Sequence, residues 1–304
     1  MELSVTSGIE KIFLDNRRIE SGQQFTLPTK NQKQSAFFSC LNAIVLRHFD
    51  PKSAEKEIIS VFNLQLPEGK IIQESNLTIP PLIAYSALEV FKISKNQSFL
   101  EKIYPRLDKY YKWLSTIRDP YSQNILSIIH PKETFFHSLK SDKEILESYK
   151  NIDYNDSLFL QRGYFNSKDV FFNCVYLESL KSMIEISKIL GQQHSFYTRK
   201  YEYSKESIKN NLYDKTRNLF FSNTEERLTP LIFLPLFANL LTPSQAHNLV
   251  NKHLLNEQEF WTEYPVPTLS FSEKKFNSAV LGGGASWIPI NWFIFKGLLN
   301  YNLT

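Results

Sequence analysis

The stretch Ser127-Ile128-Ile129-His130-Pro131-Lys132-Glu133-Thr134-Phe135-Phe136-His137 brings two imidazoles, a carboxylate and an ammonium close together. An apolar Ile-Leu-Ser-Ile-Ile run leads into it, and Pro131, which has no backbone N–H, stops that run from continuing as a regular hydrogen-bonded element. The result is a loop dense in ionisable groups. Glu133, buried against Phe135 and Phe136, would keep its proton toward neutral pH and act as a general acid. The competing reading makes it a loop carboxylate paired with Lys132 or His130 that holds the turn. His137 is an imidazole that titrates near neutrality and suits proton transfer; the plainer reading is an exposed loop histidine.

Other candidates lie further along. Trp261, Tyr264 and Trp287 offer flat faces on which a sugar ring stacks, although tryptophans that border helices also serve as packing residues. Asp169 stands where a helix begins and suits an N-cap. Gly282-Gly283-Gly284 lacks the Lys-Ser/Thr of a phosphate loop and reads as a flexible rim. Cys40 and Cys174 sit in apolar helical patterns without CxxC spacing, so buried free thiols are expected, with no metal and no cofactor.

These groups need elements to position them, and the chain has the means. It has 304 residues, 42% hydrophobic and 22% charged, which is the balance of a globular protein with a large core. The net charge of +4 is spread over scattered lysines rather than a phosphate-tracking stripe, which argues against a nucleic-acid partner. No apolar run approaches the ~18 residues of a membrane helix and the N-terminus does not look like a leader, so no membrane and a cytoplasmic location are expected.

From Gln34 onward the apolar spacing is helical. Phe37, Phe38, Leu41, Ile44, Val45 and His48 make one face; Asp50 and Pro51 supply an N-cap and first-turn proline for a second helix; Pro80-Pro81 precede a third. A partner helix starts near Gln97, with Tyr104-Pro105 as a local break. Residues 139 to 166 are polar and read as an excursion over the surface. Asp169 opens the clearest helix, which Gly191 closes, and further helices span residues 196 to 213 and 287 to 301. About ten helices joined as hairpins are expected, arranged as an α-solenoid or a closed α/α toroid. Residues 1–32 read as a poorly defined N-terminal extension containing a short helix or strand near Ile9 to Leu14, and residues 33–304 as a single domain.

Seven ordered pieces carry a resemblance, among them Phe49-Asp50-Pro51-Lys52-Ser53-Ala54, Leu66-Pro67-Glu68-Gly69, Ile128-Ile129-His130-Pro131-Lys132-Glu133, Asp169-Val170-Phe171-Phe172-Asn173 and Phe260-Trp261-Thr262-Glu263-Tyr264-Pro265. Together they resemble glycoside hydrolase family 63, in its mannosylglycerate and glucosylglycerate hydrolase branch, with trehalases as distant relatives. The resemblance implies an all-α, (α/α)6 toroid of six-hairpin glycosidase type, incomplete at its C-terminal end, and inverting hydrolysis of an α-linked glycoside. It sets His137 at the position of the family's catalytic aspartate and Lys132 at that of a tryptophan. It turns Asp169 toward the pocket, so that the expected substrate-binding residues are His130, Lys132 and Asp169 together with the stacking candidates Trp261, Tyr264 and Trp287. The family's second carboxylate falls beyond the Asn291-Trp292 helix and is not expected within these 304 residues. The ligand implied is a small carbohydrate or sugar acid. The alternative is a catalytically inactive relative serving as a sugar-binding or protein-interaction module.

Overall fold

The computed structural model describes residues 2–20, 23–27, 33–134 and 142–303. His137, Phe135 and Phe136 lie outside them. The α-helices among the described residues are α1 (Glu2–Asn16), α2 (Ala36–Leu46), α3 (Pro51–Val61), α4 (Ile83–Ser94), α5 (Gln97–Ile117), α6 (Asp142–Lys150), α7 (Asp156–Arg162), α8 (Val170–Ile189), α9 (Ser195–Leu212), α10 (Leu234–Phe237), α11 (Pro243–Leu249) and α12 (Ile288–Asn300). Strands β1 (Arg17–Glu20) and β2 (Gln23–Thr26) form one antiparallel hairpin, and β3 (Tyr213–Asp214) and β4 (Leu219–Phe220) another. No helix among the described residues is long and apolar enough to cross a membrane.

The chain divides into two compact units, residues 1–114 with 179–198, and residues 115–178 with 199–304. In the first unit, α2 packs on α3 and α4, and α4 is buried along nearly its whole length from Ile83 to Val90. The Asp50 carboxylate accepts from the Ser53 amide at 3.0 Å and Pro51 occupies the first turn, so α3 starts where its capping sequence requires. α5 runs unbroken through Pro105, contrary to the break expected there. Pro105 and Glu101 are both exposed, so the carbonyl bond that the proline cannot make is lost on a side of the helix open to solvent.

Residues 2–16 are a helix, and the β1–β2 hairpin that follows is tied to α3: the Thr26 amide and hydroxyl both donate to the Glu57 carboxylate at 3.0 Å. Burial raises the Glu57 pKa to about 7 against the pull of those hydrogen bonds. A carboxyl whose folded pKa exceeds its unfolded value binds its proton more tightly when folded. The stability it contributes is therefore complete below the unfolded value of 4.5 and is lost as pH rises through about 7. E57Q is expected to flatten this slope. Denaturation midpoints measured from about pH 5 to 8 should fall less steeply for the variant than for wild type, and parallel profiles would refute the assignment.

In the second unit, α12 lies against α10 with Gly297 at the contact, where a Cβ would stand 2.7 Å from Leu236 Cβ and 2.8 Å from the Phe237 amide nitrogen. Phe293 turns its ring edge-on to Phe171 at 5.2 Å and to Phe237 at 5.1 Å, joining α12 to α8 and α10. The expected surface excursion at 139–166 is corrected: it contains α6 and α7. Ile145, Tyr149 and Ile152 recur at helical spacing on one buried side, and Phe159 and Leu160 bury α7. The glycine triplet is tethered rather than a plain rim, because the Gly282 and Gly284 amides both donate to the Thr268 hydroxyl, at 3.0 and 3.3 Å.

Candidate active site

Three segments of the second unit meet at the start of α8. Leu126 and Asn173 bond reciprocally, the Leu126 amide to Asn173 Oδ1 at 2.8 Å and Asn173 Nδ2 to the Leu126 carbonyl at 3.0 Å. Ile128 and Ser167 exchange backbone hydrogen bonds at 2.9 and 3.2 Å, which aligns the segment before His130 with the one before Asp169. The third segment follows β4. The Lys168 amide donates to Asn223 Oδ1 at 2.7 Å, and the Ser222 hydroxyl accepts from the Val170 amide and donates to Asp169 Oδ2, both at 2.9 Å. Between the three lies a cavity of about 320 Å3. Ile128, Phe165 and Leu231 give it apolar walls, while Asp169, Glu225, Glu226 and Arg227 give it charge.

Asp169 does two things. Its Oδ1 accepts from the Phe172 amide at 2.7 Å and so caps α8. It also faces the cavity, where burial raises its pKa to about 6 although the bonds from Phe172 and Ser222 favour the ionised form. Such a carboxyl exchanges its proton close to neutral pH, the range useful to a general acid. Cys174, further along α8, is fully buried, and burial first and then Asp169 and Glu178 push its thiol well above the usual range.

The loop that opens on His130 is held from beneath. Pro131–Glu133 form a single 3-10 turn, capped by His130 Nδ1, which accepts the Lys132 amide at 2.9 Å. With Nδ1 an acceptor, the ring proton sits on Nε2, which meets the Asp142 carbonyl at 3.0 Å. Glu133 is wholly buried and chelated by Arg118, with Nη1 to Oε2 and Nη2 to Oε1 both at 2.6 Å, and it accepts the Ile129 amide at 2.9 Å. Arg118 also donates to the Ser127 carbonyl at 3.2 Å and lies 3.6 Å from Asp156, which in turn accepts the Tyr149 hydroxyl. Burial opposes the charge on Arg118, but the Asp156 and Glu133 carboxylates outweigh it and keep the guanidinium protonated.

The structure therefore pairs Glu133 with Arg118, not with Lys132 or His130, and turns it away from the cavity wall formed by its neighbours Pro131 and Thr134. Among the described residues, Asp169 is the one sequence candidate that lines the cavity. Trp261 is 46% exposed and Tyr264 71%, Trp287 is half-buried, and none of the three borders it. The loop of Trp261 and Tyr264 is instead pinned to α12 by the Val266 amide, which donates to Asn291 Oδ1 at 3.0 Å, and to the segment before α12 by the Ser286 hydroxyl, which donates to the Tyr264 carbonyl. Ser222, Glu225 and Arg227 were not legible as site residues; the only signal was the run Glu225-Glu226-Arg227 closely following a short strand. Among the described residues no group of three or more His, Cys, Asp or Glu side chains is arranged to hold a metal ion.

Residues 31–304 match the mannosylglycerate hydrolase MGH1-like glycoside hydrolase domain. A mannosylglycerate hydrolase of Rubrobacter radiotolerans is 24% identical over 281 residues, covering 76% of this chain and 64% of that protein, so the chain spans less than two thirds of this relative. The family 63 mannosylglycerate hydrolase of Thermus thermophilus has been solved with glucose and with Tris and D-glycerate. The two structures superpose with TM-scores of 0.87 and 0.85 at 18% identity, covering 98% and 97% of this chain and 87% of that one. Neutral trehalase of Saccharomyces cerevisiae has a TM-score of 0.61 at 15% identity, over 94% of this chain and 67% of that one. The expected all-α, (α/α)6 fold class is the one these structures share. The match from residue 31 to the last residue, on that fold, makes this chain a member of the mannosylglycerate hydrolase MGH1-like glycoside hydrolase family.

Proposed function

We propose that this chain is a glycoside hydrolase domain that binds a small α-linked glycoside in the cavity at the start of α8 and cleaves it with inversion. The supporting observation is the convergence there of the His130 loop, the Asp169 cap and the Ser222–Arg227 segment, on a fold that in the Thermus relative holds glucose. Inversion requires an acid at the glycosidic oxygen and a carboxylate that activates water from the opposite face, ~6.5 to 9.5 Å apart. Asp169 is the cavity group that keeps a proton to about pH 6, and it takes the role of acid, while Glu226, the cavity carboxylate that Arg227 does not engage, takes the proton of the attacking water. Glu133 and Arg118 hold the turn Pro131–Glu133, whose Pro131 and the following Thr134 line the cavity. Two unpaired, buried thiols, Cys40 and Cys174, fit a reducing compartment and a cytoplasmic place of action.

The test is release of free sugar from glucosylglycerate, mannosylglycerate and trehalose, followed by NMR so that the anomer formed first is seen. Turnover that yields the inverted anomer supports the reading. Saturable binding with no turnover on any α-glycoside overturns it and assigns the chain a sugar-binding role instead.

A further inference from the structure

The cavity differs in charge from a site made for a sugar acid. We propose, resting on the glycoside hydrolase reading above, that it selects uncharged glycosides over those whose aglycone carries a carboxylate, and that Glu225 sets this preference by occupying Arg227. An arginine recognises a carboxylate by presenting two parallel N–H groups to its two oxygens. Among the described residues Arg227 is the only cationic side chain lining this cavity, and it already spends such a pair of donors inside the protein: Nε reaches Glu225 Oε1 at 2.8 Å and Nη2 reaches Oε2 at 2.5 Å. The Arg227 amide adds a third bond to Glu225 Oε1 at 3.1 Å, so backbone and side chain hold the same carboxylate.

The surroundings act in the same direction. Asp169 and Glu226 line the same cavity, and Glu273, which accepts the Leu228 amide at 2.8 Å, adds to the negative field that favours the charged form of Arg227. Lys168 is turned to the loop, with Nζ donating to the Ile125 carbonyl at 3.0 Å and to the Ser127 hydroxyl at 2.8 Å. An incoming carboxylate thus meets like charges and an arginine whose Nε–Nη2 edge is already taken, with its charge offset by Glu225. Sugar and polyol hydroxyls meet the reverse: carboxylate acceptors, the hydroxyls of Ser167 and Thr224, and apolar walls for the C–H face of a ring.

Two ligands with one sugar and one linkage separate these cases, α-glucosylglycerol and α-glucosylglycerate, titrated calorimetrically against the full chain at about pH 8 and low salt, where Asp169 is ionised. The neutral conjugate is expected to bind at least about tenfold more tightly. E225Q, which releases the Arg227 fork, is expected to shift that ratio toward the glycerate conjugate by about tenfold, and R227Q to shift it the other way. Equal or tighter binding of the glycerate conjugate to wild type overturns the inference and leaves the glycoside reading standing. An unchanged ratio in a folded E225Q also overturns it. Binding of neither conjugate sinks the glycoside reading and the inference together.

Discussion

Arg118→Met is expected to destabilise the protein by about 3–5 kcal/mol, the usual consequence of removing one partner from a buried ion pair. Arg118 and Glu133 are both inaccessible to solvent, and without the guanidinium the Glu133 and Asp156 carboxylates stay buried with their strongest counter-charge gone. The damage extends past the pair, because Arg118 also binds the Ser127 carbonyl and Glu133 the Ile129 amide, on the segment that leads to His130. Urea denaturation followed by circular dichroism measures the loss. A double variant, R118M with E133L, removes both charges at once and should recover part of it, giving a coupling energy well above zero in a double-mutant cycle. A single R118M variant within about 1 kcal/mol of wild type would show that the pair does not anchor this loop.

Asp169→Asn is expected to lower sugar release by about two to four orders of magnitude while the protein stays folded, since Asn keeps an oxygen for the Phe172 amide but has no proton to transfer. The pH profile carries the same assignment. With its pKa raised to about 6, an acid at Asp169 keeps kcat/KM level below that value and lets it fall about tenfold per pH unit above it. The stability linked to this group has the same sign: complete below the unfolded value of 3.8 and lost as pH rises through about 6, a slope that D169N removes. Activity in D169N within a few-fold of wild type, or a basic limb unaffected by the substitution, would place the acid elsewhere.

How far such roles were readable beforehand depended on range. α2, α3, α4 and α8 were legible because their apolar residues recur at helical spacing and their caps, Asp50-Pro51 and Asp169, are neighbours in the chain. α6 and α7 carry a weaker mark because Ile145, Tyr149 and Phe159 are diluted by charged and polar residues, and a stretch of low average hydropathy still forms a helix when one side is buried. The break expected at Pro105 did not occur, since the missing bond falls on a side of α5 open to water.

The loop from Ser127 to Thr134 shows where the two kinds of information part. The sequence alone determined that a proline-broken turn there carries His130, Lys132 and Glu133, and that Asp169 caps the helix beside it, because turns and caps are made within a few residues of the chain. Only the tertiary structure decided that Glu133 belongs to Arg118, that Asp169 shares a cavity with residues 222–227, and that Glu225 takes the arginine that lines it. Those outcomes depend on which charges burial brings within about 3 Å of each other, and residues 15 or 53 positions apart leave no periodic trace of that meeting.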